Sequence, residues 1–159
     1  MTEDSSQAPI PAADDPRPAV LFLCVKNGGK SQMALGWFKE LAADRAVAWS
    51  GGSEPGKSLS GTAVEAMAEK GIDITGEYPK PWTEERLRAA DVVITMGCGD
   101  TCPYYPGKRY EDWSFDVPEG LDGLEATRNV RDQIEARVRA LLDEIGVEAV
   151  NPHSRVDLP

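Results

Sequence analysis

Six apolar residues, Ala19–Cys24 (AVLFLC), run unbroken into a short polar loop, and a helical pattern starts directly behind it. An apolar run of that length suits a strand buried on both faces. In SQMALGWFKELAAD, residues Met33, Ala34, Trp37, Phe38 and Leu41 share one helix face, with Ser31 expected as N-cap. The same alternation continues along the chain. Ala46–Gly52 reads as a second strand, and GTAVEAMAEKGI as a helix with Ala63, Val64, Met67 and Ala68 on one face and Gly71 closing it. After YPKPW, Thr83 is placed to cap a short helix, EERLRAA. Asp91–Gly97 is a third buried strand, GKRYEDWSF contains a fourth, and Leu124–Ile145 is the longest helix. Strands alternating with helices imply βαβ units with right-handed crossovers. The expected class is therefore α/β, a three-layer α/β/α domain on a four-stranded parallel sheet. Ligands in such sheets bind at the carboxyl ends of the strands, near the point where strand order reverses. Cys24 ends the first strand and Cys98 follows the third, so both are expected on one rim.

With 159 residues the chain has room for one domain and not two. Residues 1–18 are acidic and rich in Pro and Ala, and lack the basic and apolar regions of a secretory signal. They read as a disordered tail, followed by the domain at 19–146 and a C-terminal tail at 147–159. A net charge of −10 argues against binding nucleic acid or an anionic membrane through bulk charge. No apolar run approaches the ~20 residues of a membrane helix. Any anion site must be built locally, from backbone amides and a few cations. Three cysteines without an export signal point to a reducing, cytoplasmic setting and to catalytic or redox roles. The one histidine, His153, lies in the polar C-terminal tail, so neither a Cys–His pair nor a histidine-rich metal site is expected.

The loop after the first strand is Val25, Lys26, Asn27, Gly28, Gly29, Lys30 and Ser31. The N-terminus of the following helix points at it, and its unpaired N–H groups and dipole favour an anion. Gly28 and Gly29 let the backbone turn its amides inward, and Asn27 tolerates a left-handed conformation. The same field favours a thiolate: a cysteine at a helix N-terminus can titrate at about 3.5–7.5 instead of about 8.5. Lys30 adds charge, and Ser31 can donate to the sulfur. Cys24 then reads as an activated nucleophile beneath a tetrahedral oxyanion held by residues 25–31. Two other readings stand beside it. Gly29-Lys30-Ser31 ends like a nucleotide phosphate loop, but Cys24 replaces the first glycine and the third strand offers no acidic residue for Mg²⁺. Alternatively, Cys24 is simply a buried cysteine at a strand end. Further along, GCGDTCP sets Cys98 and Cys102 four apart. Zinc would need two more ligands. The pair is either incidental thiols around a turn or a redox relay, whose flanking glycines allow the movement a disulfide requires.

Cys24-Val-Lys-Asn-Gly-Gly-Lys30-Ser31 followed by Gln-Met-Ala resembles the C-x5-R-[ST] signature of low-molecular-weight protein tyrosine phosphatases, and within that family the thiol-linked arsenate reductases. PKPW, ADVVITMGCGDTCPYYPGKRYEDW and VRDQIEARVRALL extend the resemblance over about Ala19 to Gly146. It implies arsenate bound in the loop by amides and Lys30, a Cys24 thio-arsenate, and release of arsenite as a second thiol attacks Cys24. In the thioredoxin-coupled branch that thiol is Cys98, which Cys102 then attacks. In the mycothiol branch a small-molecule thiol takes that step and a glutaredoxin-like mycoredoxin recycles it. No bound cofactor is implied. Two departures stand out. Lysine replaces the usual arginine, as in the actinobacterial arsenate-reductase branch. In the acid loop, Trp113-Ser114-Phe115-Asp116-Val117-Pro118, valine holds the expected aspartate position, so Asp116 is the candidate acid. A tyrosine phosphatase, or a weakly catalytic domain binding phosphate-like anions, is the alternative.

Overall fold

The computed structural model describes residues 8–97 and 106–149. Every residue of strand β1 (Ala19–Cys24) is buried, as an uninterrupted apolar run requires. Its side chains alternate between two cores. Val20, Phe22 and Cys24 face the core that includes Phe38 and Leu41 of helix α1 (Lys30–Ala42), Met67 of α2 (Gly61–Ala68) and Ile134 and Val138 of α4 (Gly123–Glu144). Ala19, Leu21 and Leu23 face the other way, with Trp49 of β2 (Val47–Gly52) and Leu87 of α3 (Glu84–Ala89). This two-sided burial makes the three layers. β3 (Val92–Met96) and β4 (Arg109–Asp112) complete a sheet of order β2-β1-β3-β4 in which every pairing is parallel.

The chain steps from β1 to β2 on one side and later returns to β3 on the other. The carboxyl end of β1 is therefore the switch point, with Cys24 level with Gly52 and Met96. β2 starts one residue after the expected Ala46, and β3 lies inside the expected Asp91–Gly97. Thr83 caps α3 as expected, its side chain accepting from the Arg86 N–H. Gly71, with φ 78°, follows the Glu69 C-cap of α2 and lets the chain reverse there.

Ser31 is a correction. The residue ahead of α1 is Gly29, and Ser31 is the helix's second residue, fully buried, with its hydroxyl turned to the loop sulfur instead of a helix N–H. Residues 8–18, read from sequence as tail, touch the sheet layer: the Trp49 indole donates to the Ala8 carbonyl at 2.7 Å, and Ile10 packs on the second core. At the other end, Val147 is buried in the main core. Among the described residues no helix is long and apolar enough to cross a membrane.

Candidate functional site

The loop between β1 and α1 is pinned from outside by all of its carbonyls. Those of Cys24, Val25, Lys26 and Gly28 accept from the amides of Ser53, Glu54, Gly56 and Ser60, at 3.1, 2.8, 3.0 and 2.7 Å. The Asn27 carbonyl takes the Gln32 side-chain amide at 3.0 Å, and Gly29 takes the first helical bond, from Met33, at 2.8 Å. A peptide unit with its oxygen outward turns its N–H inward, so the loop is a concave row of donors. The N–H groups of Lys30, Ser31 and Gln32 precede that first helical bond and add the positive end of α1 to the same row. Such a nest binds a tetrahedral anion without any bulk positive charge.

Cys24 lies at the floor, buried, with its sulfur in a hydrogen-bonded chain. Asn27, at φ 53°, turns its own N–H back onto Sγ at 3.1 Å. The Asn27 side-chain Nδ2 donates to Ser31 Oγ at 2.7 Å, and Ser31 Oγ lies 2.9 Å from Sγ. With its oxygen accepting from Asn27, the Ser31 hydroxyl can turn its single hydrogen to sulfur. The Asn27 N–H and the Ser31 hydroxyl are thus both placed to donate to Sγ. Asn27, Ser31 and Gln32 are all fully buried.

A second tier holds Asn27. Its Oδ1 accepts from the Gln32 amide at 3.1 Å, from the Lys80 backbone N–H at 3.0 Å and from the Lys80 ammonium at 3.3 Å. Lys80 reaches this place because its own carbonyl accepts from Gly52 N–H and Trp82 N–H donates to the Gly52 carbonyl, stitching residues 80–82 along the end of β2. Gly51 and Gly52 permit that approach. A Cβ on Gly51 would fall 2.6 Å from the Trp82 Cα, and one on Gly52 would fall 2.6 Å from the Val25 carbonyl oxygen.

Of the residues expected from sequence, Cys24, Asn27 and Ser31 are in direct contact, and Val25, Lys26, Gly28 and Gly29 form the loop around them. Lys30, the first residue of α1, is exposed and makes no ion pair among the described residues, so its ammonium is available to an incoming anion. Asp116 is not joined to this constellation. Its carbonyl accepts from Gln133, while its carboxylate is exposed and has no hydrogen-bond partner among the described residues. Arg137 stacks on Trp113 and Phe115, fixing that segment on α4, and Val117 is exposed. Cys98 and Cys102 lie outside the described residues. Sequence reasoning gave no role to Gln32, Ser50, Tyr78 or Lys80; only PKPW drew notice, as a segment. Among the described residues no group of His, Cys, Asp and Glu side chains is placed to hold a metal ion.

Residues 19–151 match the family described as low molecular weight phosphotyrosine protein phosphatase. A putative arsenate reductase of Halobacterium salinarum is 34% identical over 128 residues, covering 77% of this chain and 89% of the relative. The glutaredoxin arsenate reductase of Synechocystis is 37% identical over 129 residues, covering 79% and 97%. Among solved structures, the thioredoxin-dependent arsenate reductase of Corynebacterium glutamicum superposes with a TM-score of 0.74 at 40% identity. That match covers 84% of this chain but 64% of the neighbour, so the present chain spans under two thirds of that protein's length.

Proposed function

The chain belongs to the low molecular weight phosphotyrosine protein phosphatase family, among its arsenate reductases, and from that premise we propose that it reduces arsenate to arsenite with Cys24 as nucleophile. The observation that carries this reading is the buried Cys24 sulfur facing two donors inside a ring whose carbonyls all turn outward. Arsenate is held by the loop amides and the Lys30 ammonium. The Cys24 thiolate attacks arsenic, forming an S–As bond as one arsenate oxygen is protonated and leaves as water. A second thiolate then attacks Cys24 Sγ. The new bond is S–S, the S–As electron pair stays on arsenic, and As(V) becomes As(III) as two thiols become one disulfide. The departing oxygen of hydrogen arsenate already carries a proton, whereas an ester oxygen must receive one from an enzyme acid, so a site without an acid at Val117 suits this reaction better than ester hydrolysis.

In our reading the second thiol is Cys98, and Cys102 then attacks Cys98, leaving a disulfide for a thioredoxin-like protein to reduce. The competing route draws the second thiol from mycothiol, with a glutaredoxin-like protein recycling it. The test is arsenate turnover with thioredoxin and, separately, with mycothiol plus mycoredoxin, in the parent and in the Cys98→Ser/Cys102→Ser double variant. The relay predicts thioredoxin-supported turnover that the double variant loses. Full turnover of the double variant with mycothiol eliminates the relay, and p-nitrophenyl phosphate hydrolysis exceeding arsenate turnover favours a phosphatase.

A further inference from the structure

Lys80 is 2% exposed, although it carries an ammonium group. Burying such a group is costly unless each of its three N–H bonds finds an acceptor. Here they do: Asn27 Oδ1 at 3.3 Å, Ser50 Oγ at 3.2 Å and the Tyr78 carbonyl at 3.1 Å. The Tyr78 ring lies 5.4 Å away, and Glu77 Oε1 at 3.8 Å is the facing carboxylate, shared through its other oxygen with Lys39 at 3.1 Å. Packing alone does not call for a charge here, since a methionine side chain has nearly the same length. The acceptor that matters is Asn27 Oδ1, because the other end of the same amide bonds Ser31, and Ser31 bonds the sulfur.

We propose that Lys80 is a positioning residue whose ammonium, acting through Asn27 and Ser31, directs a hydrogen-bond donor onto Cys24 sulfur. A cation on the amide oxygen draws density from the amide nitrogen and makes Nδ2–H a stronger donor to Ser31 Oγ. It also fixes the direction of the chain. With the amide reversed, an NH₂ group would face an ammonium and two further donors. Ser31 would then give its hydrogen to Asn27 and have none for sulfur. Lys80 and Asn27 are 53 residues apart in sequence, and the ammonium is enclosed among Asn27, Ser50 and Tyr78. The titratable side chains that face the Lys80 ammonium are Glu77 and Tyr78, and Lys39 stands on the other oxygen of Glu77. Among the described residues, Cys24 and Lys80 are the titratable groups hydrogen-bonded to the Asn27–Ser31 pair.

This inference rests on the reading of Cys24 as nucleophile, and its test needs no arsenate, so the two can fail separately. The rate of Cys24 alkylation by iodoacetamide is followed against pH, with peptide mapping to separate Cys24 from the other cysteines. Parent, Lys80→Met, Lys80→Gln and Lys80→Arg are compared after checking each fold by circular dichroism. The Gln32 amide and the residue-80 backbone N–H remain on Asn27 Oδ1 in every variant, so the loop keeps its shape when the charge goes. Loss of the charge is expected to move the profile up by about one pH unit, slowing alkylation about tenfold at pH values below the parent's midpoint, with the limiting rate at high pH unchanged. Lys80→Arg should stay within about twofold of the parent, because it returns a cation to the same acceptors. A folded Lys80→Met or Lys80→Gln protein with the parent's profile overturns the proposal and leaves Lys80 a packing residue.

Discussion

At the scale of single residues, the loop works because of what surrounds it. Gly52 shows how tight that fit is: a Cβ there would meet the Val25 carbonyl oxygen at 2.6 Å and the Asn27 Cβ at 3.0 Å. Neither can retreat, because the Val25 carbonyl is bonded to Glu54 and Asn27 is held from both ends. Gly52→Ala is therefore expected to cost about 1–3 kcal/mol, as overpacking usually does. It should also displace the loop, lowering both the thermal midpoint and kcat/KM for arsenate. A variant with the parent's values for both would mean that the loop tolerates the shift. What could be read from sequence at this scale follows the same logic. The placement of Cys24, Asn27, Gly28 and Gly29 in one loop was legible because it comes from local backbone chemistry. Ser31 was misread as a cap because a serine ahead of a helical run carries the same signal whether it bonds a helix amide or a sulfur. Gln32 and Lys80 act through contacts made only after folding, and a lysine between two prolines gives no hint of burial.

Among the elements, the wall behind the loop depends on how α2 meets α4. The loop takes one of its bonds from Ser60, the N-cap of α2. At the far end of α2, Glu69 is gripped by Arg128 at 2.6 Å and by Arg131 at 2.7 Å, and Arg131 also donates to the Ala66 carbonyl. The hydrogen bonds from Arg128 and then Arg131 pull the Glu69 carboxyl from 4.5 down to about 2. A folded value below the unfolded one means the carboxylate contributes stability above about pH 4.5, and that contribution fades as pH falls toward 2. Thermal melts from pH 7 to pH 2 should show the parent losing midpoint across that window. Glu69→Gln should start lower at pH 7 and fall less steeply. Equal slopes for the two would show that this latch does not contribute. The elements themselves were legible wherever pattern and length agreed, as in the apolar run of β1 and the long face of α4. The Glu69 latch was not, since the charges on α4 read simply as an exposed face until Arg131 is seen 5% exposed against α2.

For the molecule as a whole, the question is how a protein of net charge −10 presents an anion site at all. The parallel sheet answers it by placing the β1–α1 turn at the switch point, where helix dipole and inward amides supply a local field that the surface charge does not cancel. This feature was visible from sequence, because alternation of strands and helices leaves few topologies open. Contacts made by the segment from Ala8 were not, since an acidic, proline-rich stretch carries no periodic pattern. The account stands on Cys24 sulfur being the atom that attacks arsenic. The direct measurement is arsenite formed from arsenate by Cys24→Ser, supplied in turn with thioredoxin and with mycothiol plus mycoredoxin, in a variant shown to be folded. Turnover should drop at least about a thousandfold with either reductant, as removal of a nucleophile does. Arsenite formation near the parent's rate in that variant would contradict the account.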